Sequence, residues 1–198
     1  MRYLYCDTET TDRYPGQICQ LSYILDSTTE PLAVAKNFFF SVDQMSPGAA
    51  RVNGMSVEGL GRLSGGRRFA DHLAEIEADL RWADRFVAHN ASFDRRFLDA
   101  ELEKIGRGYC GGIACSMLVA RRIYQDAPNH KLEGLVRFLP IETDGTFHRA
   151  LADSEMTARL WLAMIGNIRD RYAIPEPSFF LMQTLSRTCK AAVHKYLE

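Results

Sequence analysis

The chain lacks a surplus of charge of either sign: 24 lysines and arginines stand against 25 aspartates and glutamates, a net charge of −1 over 198 residues. A protein that coats long stretches of nucleic acid usually carries a basic excess, so this balance argues against tight binding of extended duplex. It leaves room for an enzyme that holds a few nucleotides at a strand end, because bound metal cations can supply the positive charge. The chain also lacks any apolar run approaching the roughly 20 residues that span a bilayer. The N-terminal stretch MRYLYCD reaches an acidic residue too early for a secretory apolar region, so a cytoplasmic location is expected. The cysteines (Cys6, Cys19, Cys110, Cys115 and Cys189) are odd in number and form no CxxC pair. That excludes a zinc ribbon and a disulfide framework and predicts reduced, structural thiols. Internal repeats and low-complexity stretches are missing too. The remainder, 46% hydrophobic and 25% charged, is the composition of an ordinary globular domain.

The pattern along the chain changes period once. Residues 2–8, 17–25 (QICQLSYIL) and 32–42 read as three strands separated by Pro15-Gly16 and by a polar turn over 26–30. Short connections predict an antiparallel meander. Residues 70–82 then carry Leu73, Ile76 and Leu80 at helical spacing. The run 85–88 is a short strand, 93–105 resumes the helical period, and a glycine-rich stretch over 106–112 ends it. Residues 116–124 and 132–138 are short helix candidates, and 150–168 is the longest helical segment. Strands first, then helices alternating with further strand, predict an α/β fold: a mixed sheet flanked by helices. Pro175-Glu176-Pro177 marks a break, and 178–198 reads as a helical appendage. The expected division is therefore a domain over 1–170 and an appendage over 171–198.

Three clusters carry chemistry. In Asp7-Thr8-Glu9 the two acids fall at i and i+2 of a strand and point to one side. Two carboxylates on an otherwise apolar strand repel each other, and a hard divalent cation resolves the conflict. His89-Asn90-Ala91-Ser92-Phe93-Asp94 follows the strand over 85–88 and opens a helix, the junction where α/β proteins commonly place ligands. There Asp94 is favoured by the helix N-terminus. His148 follows a turn-like stretch over 143–146, and Asp153 falls in the first turns of the long helix. A loop histidine titrates near neutral pH and suits a general base. Each cluster alone has a plainer reading: a solvated strand end, a helix cap, a surface histidine.

Their order is the stronger signal. Asp-x-Glu, then HNxxFD, then His-x4-Asp ahead of a long helix resembles the DEDDh (DnaQ-like) family of 3′→5′ exonucleases. That family includes the proofreading ε subunit of bacterial DNA polymerase III, ribonuclease T and oligoribonuclease. The segment Arg51-Val52-Asn53-Gly54-Met55-Ser56 resembles the family's stretch whose apolar side chains contact the terminal base. The likeness runs from about Tyr3 to about Ile165. One departure is Gln20, where proofreading members often carry an acid.

The resemblance implies a ribonuclease H-like mixed sheet and a catalytic set of Asp7, Glu9, Asp94, His148 and Asp153. The four acids would hold two ions, magnesium or manganese, with His148 as the proton acceptor. Thr8, Thr10, Val52, Asn53, Met55, Asn90 and Phe93 are the candidate substrate contacts, and Arg67-Arg68, Arg95-Arg96 and Arg121-Arg122 the candidate phosphate guides. The expected partner is a single-stranded 3′ end, DNA ahead of RNA. The C-terminal segment is expected to pack on its own domain, with a second copy of the chain or a polymerase subunit as its candidate partners. An exoribonuclease of the ribonuclease T or oligoribonuclease type is the alternative. A non-catalytic binding module on the same fold is the alternative of another class.

Overall fold

A computed structural model describes residues 1–13, 16–27, 33–143 and 149–198. Pro15, most of the 26–30 turn, Leu32, most of the 143–146 stretch and His148 lie outside the described residues.

The first strand, β1 (Arg2–Thr10), is followed by β2 (Ile18–Ser27) and β3 (Val34–Phe39), and each is antiparallel to the one before. The chain then forms helices α1 (Pro47–Asn53), α2 (Val57–Leu63) and α3 (Leu73–Trp82), the last entered through a 3-10 turn at Phe69–His72. Strand β4 (Arg85–Ala88) leads into α4 (Ser92–Glu103), and β5 (Gly112–Cys115) leads into α5 (Ser116–Ile123). Helices α6 (Leu132–Phe138), α7 (Ala150–Tyr172), α8 (Phe179–Arg187) and α9 (Val193–Leu197) complete the described chain. The five strands make one sheet in the order β3-β2-β1-β4-β5, with β1, β4 and β5 mutually parallel.

The expected mixed sheet with an antiparallel meander is therefore present. Two helices were not expected, and the fifth strand was allowed for without a position. Helices α1 and α2 carry clear end signals: Ser46 and Ser56 cap them by accepting from Ala49 N–H and Gly59 N–H, Pro47 opens α1, and Gly54 closes it at φ 69°. Each helix spans only 7 residues, too few for an apolar period to stand out. Strand β5 has 4 residues and begins on a glycine. Its pairing with β4, Phe86 opposite Ile113 and Val87 opposite Ala114, holds it in place.

Side-chain alternation along β1 sorts the core into two layers. Leu4 and Cys6 join Ile76, Leu80, Phe97, Leu98 and Leu102 under α3 and α4. Tyr3 and Tyr5 join Val119, Leu160, Trp161 and Met164 under α5 and α7. Helix α8 belongs to that second layer: Phe179, Met182 and Leu185 are buried within it, and Gln183 donates to the Ile113 carbonyl of β5 at 2.8 Å. Cys6 and Cys19 are buried, and all the cysteines are unpaired. No helix among the described residues is long and apolar enough to cross a membrane.

Candidate active site

The alternation that sends Tyr3 and Tyr5 toward α7 continues to Asp7 and Glu9, so both carboxylates leave β1 on the face that α7 covers. Asp153 lies in the first turn of α7. Ser154, fully buried beside it, places its hydroxyl 2.9 Å from the Ser22 carbonyl of β2 and 2.7 Å from the Ala150 carbonyl. Because Ser22 pairs with Asp7, this contact ties the start of α7 to the strand position opposite Asp7. Asp7, Glu9 and Asp153 each bring one carboxylate oxygen into a cluster whose members all lie within 4.8 Å of one another.

Asp94 arrives from the opposite layer, around the end of the sheet. Strand β4 stops pairing at Ala88, opposite Cys6, while β1 runs on to Thr10. The edge of β1 beyond Cys6 thus has no strand beside it, and Asp94 takes its place. Its Oδ1 accepts from Thr8 N–H at 3.0 Å and from Thr8 Oγ1 at 2.9 Å. The carboxylate is 2% exposed. Asn90, held at φ 70° in the loop ahead of α4, accepts from Phe93 N–H at 2.8 Å and turns the chain into that helix. His89 fixes the loop from behind. Its Nε2 lies 3.0 Å from the His130 carbonyl and so donates to it, and its Nδ1 lies 2.9 Å from Ser116 Oγ. Burial lowers its pKa to about 4, so the ring is neutral and serves as a strut.

The charges are uncomfortable without a cation. Burial raises Asp7 well above the usual carboxylate range, and the neighbouring Asp94, Asp153 and Glu9 raise it further. Burial, then Asp153 and Asp94, pushes Glu9 up to about 7. Burial likewise pushes Asp94 up to about 7, against the lowering effect of the Thr8 hydrogen bonds. The converging oxygens of Asp7, Glu9 and Asp153, with Asp7 and Glu9 destabilised in their charged forms, fit a divalent ion such as magnesium or manganese.

A groove of about 400 Å³ opens beside Glu9, walled by Thr8, Thr10, Arg13, Val52, Asn53 and Phe93 among others. That is the scale of a nucleotide-sized site. Val52 stands 63% exposed on its wall. Asn53 is tied down by its own contacts: its amide donates to the Thr10 carbonyl at 3.4 Å, and its Oδ1 accepts from Met55 N–H at 3.1 Å. Met55 instead lines a second cavity, of about 600 Å³, which it shares with Asn53, Gln20, Asn37 and Arg149. Asn90 is not among the residues lining either cavity. His148 lies outside the described residues. Sequence reasoning missed Ser154, which gives no pattern-level signal, and the hydroxyl of Thr8 as the anchor of Asp94. It also missed Arg13, Ser46 and Ala49 in the groove wall.

The RNase_T family, described as "Exonuclease", matches residues 6–161, a span that includes all three acidic clusters. The chain belongs to the RNase_T exonuclease family. Among curated relatives, the PolC-type DNA polymerase III of Caldanaerobacter subterraneus subsp. tengcongensis is 31% identical over 84 residues, 42% of this chain and 6% of that protein. The PolC-type DNA polymerase III of Staphylococcus aureus is 34% identical over 86 residues, 43% of this chain and 6% of that protein. The chain thus spans a small fraction of the length of these relatives. Among solved structures, the RNase domain of the yeast Pop2 protein superposes with a TM-score of 0.62 at 13% identity, covering 85% of this chain and 78% of that one. The chain therefore shares the fold of that domain.

Proposed function

We propose that this chain is a divalent-metal-dependent 3′→5′ exonuclease that removes nucleoside 5′-monophosphates from single-stranded DNA ends. The observation that carries the reading is the convergence of Asp7, Glu9 and Asp153 within 4.8 Å at the side of a nucleotide-sized groove. The relatives, both DNA polymerases by name, support DNA over RNA.

On this reading Asp7, Glu9 and Asp153 are the ligands, and Asp94 completes the set from the α4 side. Two bound ions would supply positive charge to the phosphoryl oxygens and lower the pKa of water. Thr8 holds Asp94 through both its N–H and its hydroxyl, so the β1 backbone beside the acids is rigid where a terminal nucleotide is gripped. Val52, Asn53 and Phe93 offer apolar and amide surface to the terminal base. His148, five positions before Asp153 in the sequence, accepts the proton of the attacking water. The phosphorus–O3′ bond then breaks, leaving a 3′-hydroxyl on the shortened strand and a 5′-phosphate on the released nucleotide. We assign this activity to a domain over 1–170, with the segment over 171–198 as a helical addition to it.

The test is digestion of matched DNA and RNA oligonucleotides, labelled at the 3′ or the 5′ end, with magnesium, with manganese and with EDTA. The expected result is immediate release of a labelled mononucleotide from the 3′-labelled DNA and progressive shortening of the 5′-labelled DNA. Both stop in EDTA and in the Asp7→Ala variant. Internal cleavage, or an Asp7→Ala variant as active as the parent, overturns the reading. Faster digestion of RNA moves the substrate assignment to the exoribonuclease alternative.

A further inference from the structure

A chain with a net charge of −1 has no general basic surface to hold a strand, so phosphates must meet particular cations near the groove. The three arginine pairs singled out by sequence differ sharply in what they already bind. Arg68 is ion-paired with Asp43 and Arg95 with Asp99. Arg67 bonds the Ser64 carbonyl, and Arg122 spends its guanidinium on the Thr188 and Leu118 carbonyls, near α8. Arg121, on α5, is exposed and forms no ion pair among the described residues, and neither does the exposed Arg96. Arg96 sits beside the groove. Its guanidinium lies 5.5 Å from the ring centre of Phe93 and 5.3 Å from that of Phe97. One of its terminal nitrogens donates to the Arg13 carbonyl at 2.8 Å. That joins the Arg96 side chain to the Arg13 backbone, and Arg13 lines the groove with Phe93 and is itself exposed without an ion pair among the described residues. Asp12, an acid in the same wall, has one oxygen occupied by the Arg13 N–H at 2.6 Å.

We propose that Arg13 and Arg96 form a phosphate-binding subsite for the strand upstream of the terminal nucleotide. This rests on the exonuclease reading of the groove. Arg96 is pre-ordered: stacking on Phe93 and Phe97 and the bond to Arg13 fix its plane while leaving its remaining N–H groups for phosphate oxygens. Phe93 lines the groove and carries this cation on its ring, so a base in the groove and its phosphate on the guanidinium are met together. Contacts of this kind read backbone and not base identity. The preferred substrate is therefore a single strand of several nucleotides, of any sequence, and the terminal dinucleotide alone is a poor one.

The test is fluorescence anisotropy of dye-labelled oligothymidylates, two and eight nucleotides long, binding to the full chain between about 50 and 200 mM salt. The proteins are wild type, Arg13→Ala, Arg96→Ala and Arg96→Lys. Among the described residues the hydrogen bonds of Arg13 are made by its backbone, so Arg13→Ala is expected to remove charge and keep the fold. Each alanine variant is expected to weaken octanucleotide binding about tenfold, the loss of one charge-assisted contact. Each is also expected to reduce the slope of log affinity against log salt by about 0.7. The dinucleotide weakens far less, and Arg96→Lys recovers the salt slope but only part of the affinity. Equal weakening at both lengths, or an unchanged salt slope in Arg13→Ala, overturns the subsite. Mononucleotide release is measured on the same preparations. Binding without release contradicts the exonuclease reading while leaving the arginine subsite standing.

Discussion

Replacing Asp7 with asparagine is expected to make the metal-free protein more stable while abolishing its activity. The geometry gives the size of the effect. Asp7, Glu9 and Asp153 hold oxygens within 4.8 Å of one another. At that distance two unit charges repel by about 3.5 kcal/mol at an effective dielectric of 20, and by about 0.9 kcal/mol at that of water. Asp7→Asn removes one member from two such pairs at almost no change in volume. With part of the charge screened by solvent, a net gain of about 1–3 kcal/mol is expected. For a chain of this size each kcal/mol raises the melting temperature by about 2–4 °C. The sign with pH follows from Asp7 itself, whose pKa burial and the neighbouring Asp94, Asp153 and Glu9 raise well above the usual carboxylate range. The unfolded chain releases that proton near pH 3.9, so metal-free wild type loses stability as pH climbs from about 3.9 through the raised value. The variant relieves this loss. The gap between the two proteins is therefore wide at pH 8 and narrow at pH 5. Thermal unfolding in EDTA at both pH values measures it. Added magnesium or manganese then stabilises wild type by mass action and the variant much less. An Asp7→Asn protein that melts below wild type in EDTA at pH 8, or a gap of equal size at both pH values, refutes the account of the cluster as mutually repelling ligands.

Thr8→Val keeps the size of the side chain and the N–H bond to Asp94 but deletes the hydroxyl bond at 2.9 Å. The buried carboxylate loses the Thr8 hydroxyl as a donor, so stability in urea is expected to fall by about 1–2 kcal/mol. Nucleotide release is expected to slow, with a weaker response to metal in a titration; an unchanged metal response shows that Thr8 does not position Asp94. Met182→Ala truncates a side chain that is 0% exposed between α8 and the sheet, and is expected to cost about 2–5 kcal/mol in urea denaturation. A loss below about 1 kcal/mol would mean that α8 rests on the domain and is not part of its core.

The sequence alone supplied the period of each long element and the order of the acidic clusters. Strand β4 and helix α6 have the boundaries their patterns predict, because an apolar run and a helical period are properties of neighbouring residues. Asp7 and Glu9 share a face for the same local reason. Helices α1 and α2 were legible only in their caps, Ser46 with Pro47 and then Gly54, because 7 residues give too little period to read. Strand β5 exists by its pairing with β4, and no neighbour in sequence announces it. Tertiary structure alone decided three things about the site. It ended β4 two residues short of Thr8, so that Asp94 crosses from the other layer to cap the bare edge of β1. It set α7 on the sheet through Ser154 and Ser22, which aims Asp153 at the β1 acids. And it set Arg96 against Phe93 at the groove, while Arg68 and Arg95 are already ion-paired. Composition and spacing fix which charges a chain owns. Only packing fixes which of them are already answered by a partner and which remain to meet a ligand.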